Sequence, residues 1–342
     1  MHAEPPAAGA ASRSGGDVTV VVVTYAGRAW LERCLDSLAA QRLPHRLLVV
    51  DNGSSDGTAE LLHDRLAPEQ VLRLPENRGF AGGMAAALTQ VRTRWTALLN
   101  DDAVADPDWL SNLVAAAEQQ PDTAAWTAVL LETERPQRIQ NAGVGLLPSG
   151  HGYDLGAGDD ARSDPGSAVP AVAAGEVFGF SGGAALLRTD AVAAVGGFPA
   201  EFFLYYEDVD TSWRLRAAGW QIRLVPDATV RHAHSATADQ RSSSFHFHNE
   251  RNRLWFLIRN APAAVAARGV ARFGVTTGSL AAKRLLRRPV PDAANFSVAL
   301  RLRVLGATAL ALPALCRQRW LLGRAASVPS RQLWRRWARG KR

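Results

Sequence analysis

Carboxylates and histidines are concentrated in one stretch of this chain, residues 202–235. Glu207 and Asp208 directly follow an aromatic, apolar run, which screens such groups from water and allows their pKa values to be tuned for proton transfer. His232 and His234 follow a second apolar run and could reach a metal ion. The alternative is a solvated acidic helix start, because Glu and Asp favour the first helical turn.

A second polar cluster, Asn100, Asp101 and Asp102, ends a short apolar strand. Adjacent carboxylates repel each other unless a cation or hydrogen-bond donors neutralise them. Mg2+ and Mn2+ prefer oxygen ligands, and Mg2+ often takes one or two carboxylates together with substrate phosphates. The alternative is an Asp-rich turn that caps the following helix, which Pro107 opens.

Alternating elements must position these groups. The β-branched run 18–25 predicts a strand buried on both faces, and a helical pattern, a strand at 47–50 and a further helix follow it. This order predicts a parallel α/β sheet, in which ligands bind beyond the strand ends, near Thr24, Tyr25 and Asp51. No GxGxxG follows the first strand, which argues against a nicotinamide dinucleotide and leaves a mononucleotide or nucleotide sugar.

Seven segments in order resemble the motifs of glycosyltransferase family 2, and more narrowly its bacterial rhamnosyltransferase-like members. The resemblance covers residues 17–260 and implies the GT-A fold, a Rossmann-like α/β domain that binds a nucleotide sugar. The segments are VVVTYAGRAWLERCLDSL, VVDNGSSDGT, ENRGFAGGMAAAL, LLNDDAV, FSGGAALLRTDAVAAVGGF, FFLYYEDVD and AGWQIRLVPDATVRHAHS.

The resemblance implies a nucleotide site, in which Asp51 hydrogen-bonds the pyrimidine ring and Asp101 lies nearer the ribose or sugar. The segment 77–79 lies over the nucleoside, and its arginine could also approach a phosphate. The residues matched to this site are Thr24, Tyr25, Asp51 with Asn52 and Gly53, Asn77, Arg78, Gly79 and Asp101.

The resemblance also implies a divalent metal cofactor, Mn2+ or Mg2+, bound by Asp102 and His232, with His234 as second choice. The first position of the family's Asp-x-Asp motif is Asn100 here, a neutral oxygen donor that makes a weaker site. Pro199 stands where the family commonly has Asp after GGF, which affects one acceptor-side or structural contact.

For the catalytic base, the resemblance points to Asp208 with Glu207 as the alternative, while Asp210 orients neighbours or caps the next helix. The implied reaction is an in-line displacement that inverts the anomeric carbon of a transferred hexose. The residues expected on the sugar and acceptor side are Gly182, Gly183, Trp213 and Arg214, and ordinary packing and a surface charge are the alternative for the last two.

Composition is that of a globular protein rather than a disordered one. The 342 residues are 47% hydrophobic and 21% charged, enough for one main domain with an appended tail. Cys34 and Cys316 give no disulfide framework, which fits a reducing compartment, and Cys34 falls within an amphipathic helix as a core residue. We predict a flexible arm rather than a signal peptide at residues 1–16. The stretch 158–168 predicts either a mobile loop near the acceptor entrance or a plain surface loop.

The C-terminal region 261–342 is predicted to be helical and basic. From residue 283 onward it has fifteen Lys and Arg against one acid, a local net charge of +14, whereas the whole chain carries +7. Its apolar run 304–316 is too short to span a bilayer, which takes about 20 residues. Arginines around that run, with Trp320, Trp334 and Trp337, favour the surface of an anionic membrane, and no nucleic-acid-binding motif accompanies the charge.

These features predict a cytoplasmic glycosyltransferase at the inner face of the cell membrane. It would act on a nucleotide-sugar donor, with dTDP-rhamnose as a candidate, and on a glycan or polyprenyl-linked acceptor. One alternative is a non-catalytic carbohydrate-binding or scaffolding protein of the same fold, which would not need a general base. A nucleotidyltransferase would need a Gly-rich, Arg- or Lys-bearing loop after the first strand, which TYAGRAW matches poorly.

Overall fold

The computed structural model of the chain describes residues 15–161, 173–233 and 241–339. Most of the predicted N-terminal arm, most of the loop 158–168 and His234 lie outside these ranges. The described strands are β1 (Val18–Thr24), β2 (Arg46–Asp51), β3 (Val71–Arg73), β4 (Trp95–Leu99), β5 (Ala103–Ala105), β6 (Thr123–Glu132), β7 (Ile139–Asn141), β8 (Val144–Leu146), β9 (Gly152–Asp154), β10 (Gly175–Glu176), β11 (Ala184–Arg188) and β12 (Gln221–His232).

Ten of these strands form one mixed sheet, ordered β10-β12-β6-β11-β4-β1-β2-β3, with β5 on β12 and β7 on β6. The strands β3, β2, β1 and β4 are parallel, as the alternating strand and helix pattern predicts. β11 then pairs antiparallel with both β4 and β6, and β12 runs parallel to β6. The separate hairpin of β8 and β9 lies outside the main sheet.

Helices cover both faces of the sheet. The bounds of those up to the last strand are α1 (Arg28–Ala39), α2 (Thr58–Arg65), α3 (Gly79–Leu88), α4 (Trp109–Gln119), α5 (Thr189–Ala194) and α6 (Glu207–Ala217). Every residue of β1 is buried, as expected for a central parallel strand. α1 packs its buried Leu31, Cys34, Leu35 and Leu38 against this core, at the three- and four-residue spacing of its sequence.

Four helices follow the sheet: α7 (Ser243–Asn260), α8 (Ala263–Leu285), α9 (Val298–Ala325) and α10 (Ser330–Trp337). α8 and α9 pack against α7. α10 packs on the sheet domain, where the Trp334 and Trp337 rings contact Trp213 and Phe178. Of the three tryptophans predicted at a membrane surface, Trp320 is exposed, whereas Trp334 and Trp337 are half-buried against the sheet domain, and the membrane contact stays a prediction. The domain boundary near residue 260 stays a prediction.

α9 is longer than its uninterrupted apolar run indicates. It extends over 28 residues and, by length and composition, is the one helix among the described residues that could cross a membrane. A helix continues through isolated arginines, so the 13-residue run understates its length. Leu300, Val304 and Leu315 on one side of α9 are buried, whereas Leu302 and Leu310 on the opposite side are exposed. α9 is therefore a half-buried helix with an exposed apolar face.

Candidate active site

A cleft of about 460 Å³ opens at the carboxyl ends of the parallel strands. It brings together most of the residues that the sequence singled out, although they come from positions 25 to 232 of the chain. The predicted residues that line it are Tyr25, Asn52, Asn77, Gly79, Asn100, Asp101, Asp102, Gly182, Gly183, Glu207, Asp208 and His232.

The nucleotide side of the cleft is built on the ends of β1 and β2. Their register pairs Thr24 with Asp51, and both side chains are buried. Asp51 Oδ1 accepts a hydrogen bond of 2.9 Å from the Ser54 backbone N–H, while Oδ2 makes no hydrogen bond in the described part of the chain. The nearest cation to Oδ2 is the exposed Arg73, whose Nε lies 3.4 Å away. A buried carboxylate oxygen that has no hydrogen-bond donor within the protein can accept an N–H from a ligand.

Side-chain amides fix the turn that enters α3. Asn52 accepts from the Arg78 backbone N–H (2.9 Å) and donates to the Gly79 carbonyl (3.0 Å). Asn77 Oδ1 accepts from the Gly79 N–H at 2.8 Å. The Arg78 side chain instead points into a neighbouring pocket of about 590 Å³, where its Nε lies 3.7 Å from Glu76. In this conformation the Arg78 side chain lies outside the cleft, and its approach to a phosphate stays a prediction.

Asp102 and His232 meet at the centre of the cleft. The Oδ1 atom of Asp102 lies 3.0 Å from Nε2 of His232, because the antiparallel register of β5 and β12 pairs Ala103 with His232. Two adjacent ligands of an octahedral ion, each about 2.1 Å from it, are separated by about 3.0 Å. The pair therefore fits a divalent cation as two neighbouring ligands. No group of three or more His, Cys, Asp or Glu side chains that could hold a metal occurs within the described ranges.

Hydrogen bonds orient the His232 ring for this role. Its Nδ1 lies 2.9 Å from Gln140 Oε1, and its Nε2 lies 3.1 Å from Asn100 Nδ2. With Nδ1 as the donor to Gln140, Nε2 is the nitrogen with the lone pair, and it accepts from Asn100 Nδ2. A neutral imidazole with its lone pair on Nε2 is the form that binds metals.

Asp101 faces away from that pair. Burial raises its pKa to about 6, and the neighbouring Asp102 carboxylate adds to this effect. Its carboxylate and Thr24 are so close to the backbone that any side chain at Gly27 would collide with them. Cys34 lies beneath, where burial raises the pKa of its thiol well above the usual value, consistent with the predicted core role.

Glu207 and Asp208 open α6 and project into the cleft. Burial raises the pKa of Asp208 to about 6, although the Gly182 backbone N–H donates to its Oδ2 at 3.2 Å. Burial raises the pKa of Glu207 more strongly, and repulsion from Asp208 adds to it. Glu207 Oε2 has no hydrogen-bond partner within the described ranges. The two carboxyl groups therefore differ in their surroundings: Asp208 is held by a backbone N–H, whereas burial and repulsion from Asp208 disfavour the charged form of Glu207.

Trp213 and Arg214 do not line the cleft, and the prediction that they contact the acceptor is wrong. Trp213 is buried among Phe178, Phe256 and Trp334. The Arg214 guanidinium is buried as well and forms an ion pair of 2.7 Å with Asp210.

Asp210 links α6 to α7. Burial would raise its pKa, but the guanidinium groups of Arg259 and Arg214 hold it below the usual range. Asn260 donates to its Oδ1 at 2.7 Å. Asp210 thus orients its neighbours, as expected of it.

Sequence reasoning missed several residues of the cleft wall. Gln140 and Asn141 reach it from β7, and Asp154 reaches it from β9. Asn141 donates to Asp154 at 2.6 Å, and the charge of Asp154 contributes to the raised pKa of Asp208. The polar pair QN inside the apolar stretch IQNAGVGL was the available signal. The other wall residues that were not singled out are Val23, Phe80, Leu130, Ser181, Phe203, Leu204, Tyr205 and Phe245.

Comparison with known proteins decides the family. A family model described as Glycosyl transferase family 2 matches residues 19–196, more than half of the chain. The chain belongs to this family. The matched range contains the nucleotide side of the cleft and Asp102, whereas Glu207, Asp208 and His232 lie beyond it.

Several curated relatives of this family 2 protein are glycosyltransferases. It is 30% identical over 284 residues to the N-acetylglucosaminyl-diphospho-decaprenol L-rhamnosyltransferase of Mycobacterium tuberculosis, covering 73% of this chain and 89% of that one. It is 31% identical over 208 residues to the galactofuranosyltransferase GlfT1 of Mycolicibacterium smegmatis, and the match covers 59% of this chain and 66% of that one. The predicted rhamnosyltransferase-like membership and glycosyltransferase activity are thereby confirmed.

Solved structures share the fold of this family 2 protein. A mannosyltransferase from Pyrobaculum calidifontis, in complex with GDP-Man and Mn2+, is 18% identical with a TM-score of 0.50, covering 95% of this chain and 88% of that one. GalNAc-T7 with UDP, GalNAc and Mn2+ is 14% identical with a TM-score of 0.58, and the match covers 72% of this chain and 48% of that one. The predicted GT-A class, with a helical C-terminal region, is confirmed.

Proposed function

We propose that this glycosyltransferase moves a hexose from a nucleoside diphosphate sugar to a lipid-linked glycan precursor, with inversion at the anomeric carbon. The observation that carries the proposal is a single cleft lined by both the ionisable Asp208 and the Asp102–His232 pair. A binding or scaffolding protein would not need a buried carboxylate with a pKa near neutrality.

Asp208 is the proposed base. A general base must be ionised to accept a proton, and its pKa is best placed near the working pH. The pKa of Asp208, about 6, meets both conditions, and Asp208 accepts the Gly182 N–H. Burial and repulsion from Asp208 raise the pKa of Glu207 well above its usual range, and Glu207 Oε2 has no hydrogen-bond partner within the described ranges. Asp208 accepts the proton of the acceptor hydroxyl as its oxygen attacks the anomeric carbon, and the nucleoside diphosphate leaves from the opposite face.

Asp102 and His232 are the proposed ligands of a divalent metal, Mn2+ or Mg2+. Such an ion, when bound, stabilises the negative charge on the leaving diphosphate. The 3.0 Å between the two side chains would suit them to hold such an ion together, and the other ligands would have to come from the substrate phosphates and water. Asn100 lies beside His232 as a neutral neighbour.

The proposed donor is dTDP-rhamnose, because the Mycobacterium tuberculosis relative is an L-rhamnosyltransferase. We expect one nucleotide among dTDP, UDP and GDP, or its sugar, to raise the melting temperature only with Mn2+. Ligand at about 100 Kd stabilises the folded state by about 2.7 kcal/mol. The same donor should give transfer to a polyprenyl-diphosphate-linked N-acetylglucosamine. No thermal response to any nucleotide or nucleotide sugar would overturn the proposal.

The exposed apolar face of the C-terminal helices supports attachment to an anionic membrane surface, at the inner face of the cell membrane. Nine large apolar side chains are exposed in the described part of the chain, and eight lie between residues 275 and 321. Leu310 is 87% exposed, on the side of α9 away from α7. Arg317 and Arg324 lie on the same side as Trp320, and Asp292 is the one acid between residues 263 and 339. Exposed apolar and cationic groups together match anionic lipid headgroups above acyl chains.

The double variant Leu302→Glu/Leu310→Glu tests this attachment. We expect wild-type protein to sediment with phosphatidylglycerol-containing vesicles, less so at high salt, and the variant to lose binding at least tenfold, since each apolar side chain contributes about 1.5–3 kcal/mol when fully buried. Ala40→Glu, which adds a charge at an exposed position on the sheet domain, should bind as the wild type does. Equal binding of the double variant and the wild type would contradict the proposal.

A further inference from the structure

The loop 202–206, directly before the proposed base, has a strained backbone. Phe203 has φ 65° and ψ −65°, and the Leu204 N–H donates to the Phe202 carbonyl at 2.8 Å. These values define the γ-turn with positive φ, a rare and strained conformation. Both tyrosines of the loop also have positive φ, 68° and 70°. Side chains other than glycine keep such conformations only where the surrounding structure imposes them.

One buried side chain contacts most of this loop. Asn252, in the middle of α7, is 0% exposed. Its Nδ2 atom lies 2.9, 2.8 and 2.7 Å from the carbonyl oxygens of Phe202, Leu204 and Tyr205. Its Oδ1 accepts from Arg251 Nε at 2.9 Å, which fixes the orientation of the amide. The two amide hydrogens of Asn252 are thus shared among three carbonyl groups, which the strained turn directs toward this side chain.

The other side of the loop rests on α3. The Phe203 carbonyl accepts a hydrogen bond of 3.1 Å from the Ala81 N–H. Gly79 has φ +68°, and a side chain there would collide with the same carbonyl. The loop is therefore held between α3 and α7. On the α7 side, Asn252 contacts three of its carbonyl groups, Arg251 Nη2 donates to the Phe202 carbonyl at 2.7 Å, and the rings of His248 and Phe245 contact Phe203 and Tyr205.

We propose that Asn252 is a positioning residue for the transfer reaction. Its amide holds the loop 202–206 in the strained form, which keeps Phe203 and Tyr205 on the cleft wall and Asp208 at the start of α6. The first hydrogen bond of α6 connects the loop 202–206 to this helix, since the Asp210 N–H donates to the Tyr206 carbonyl at 2.9 Å. This inference rests on the proposed function, because the group that it positions is the proposed base.

The test replaces the amide of Asn252. Asn252→Asp keeps the volume and removes both donors, and Asn252→Ala removes the side chain without adding a charge. We expect kcat to fall about 10²-fold, as for a misplaced catalytic group, while nucleotide affinity changes less than about threefold. Amide hydrogens of residues 202–208 should exchange faster in the variants. In the matched control Asn112→Ala, the lost hydrogen bond is a 2.7 Å contact with the Asp227 carbonyl away from the cleft, and kcat should not change.

The outcomes separate this inference from the proposed function. If Asn252→Asp does not fold, Asn252→Ala decides the question. A folded variant with unchanged kcat, or with exchange raised throughout the protein rather than at 202–208, would overturn the positioning role. If the wild-type protein transfers no sugar, the proposed function fails, and the exchange comparison still shows whether Asn252 holds the loop.

Discussion

Asp208→Asn is expected to lower kcat by about 10²- to 10⁴-fold, the range that general acid–base catalysis contributes. Asparagine has nearly the same shape and can still accept the Gly182 N–H, but it cannot take a proton from the acceptor hydroxyl. Nucleotide binding should survive, because the nucleotide side of the cleft is built on β1, β2 and the start of α3. Transfer rates and nucleotide-dependent melting shifts, measured on the same preparation, provide the check.

Glu207→Gln is the matched comparison. Because burial and repulsion from Asp208 disfavour the charged form of Glu207, we expect a neutral amide to be tolerated there, and most of the activity should remain. Asp64→Asn, on the exposed side of α2, should have no effect. In the wild type, kcat/KM should rise with pH through about 6, since the base works only when ionised and burial raises its pKa to that value. The assignment of the base would be reversed if Glu207→Gln were inactive and Asp208→Asn active.

Asp102→Ala is expected to abolish the Mn2+-dependent melting shift and to lower kcat/KM by roughly 10³-fold, which corresponds to about 4 kcal/mol of transition-state stabilisation. His232 alone would then offer one protein ligand in place of two adjacent ones. Thermal shift with nucleotide and a titrated concentration of Mn2+ measures the first effect, and transfer rates measure the second.

The control for Asp102 is Asp108→Ala, six residues along the chain, whose carboxylate forms a surface ion pair with Arg42. It should keep both the metal response and the activity. A chelator should bring the wild type to the level of Asp102→Ala and leave Asp102→Ala unchanged. A full Mn2+ response in Asp102→Ala would disprove the metal assignment.

Sequence patterns predicted the parts of this site that lie at strand ends. β1 and β2 are runs of buried aliphatic residues, so the sequence shows where each strand ends. The prediction that Thr24 and Asp51 lie at neighbouring strand ends follows from this and agrees with the register of the two strands. Gln140 and Asp154 were missed because they belong to short strands, whose positions in space follow from the whole sheet rather than from local spacing.

The error at Trp213 has a geometric origin. Five residues separate it from Asp208, which is about 140° around a helix and about 7.5 Å along it, so the two side chains leave α6 in different directions. Sequence spacing cannot tell which side of α6 faces the cleft. The aromatic residues of 202–206 did not predict the positive φ angles of this loop either, because tertiary contacts with Asn252 and α3 impose them.

The contact between Gly79 and the Phe203 carbonyl has a kinetic consequence. The turn at Gly79, on the expected nucleotide side of the cleft, and the loop that precedes the proposed base touch without room for an intervening methyl group. We expect this contact to couple departure of the spent nucleotide to resetting of the proposed base. An enzyme built this way would follow a compulsory order, with the donor first on and its nucleotide last off, and product inhibition by the nucleoside diphosphate would be competitive with the donor alone.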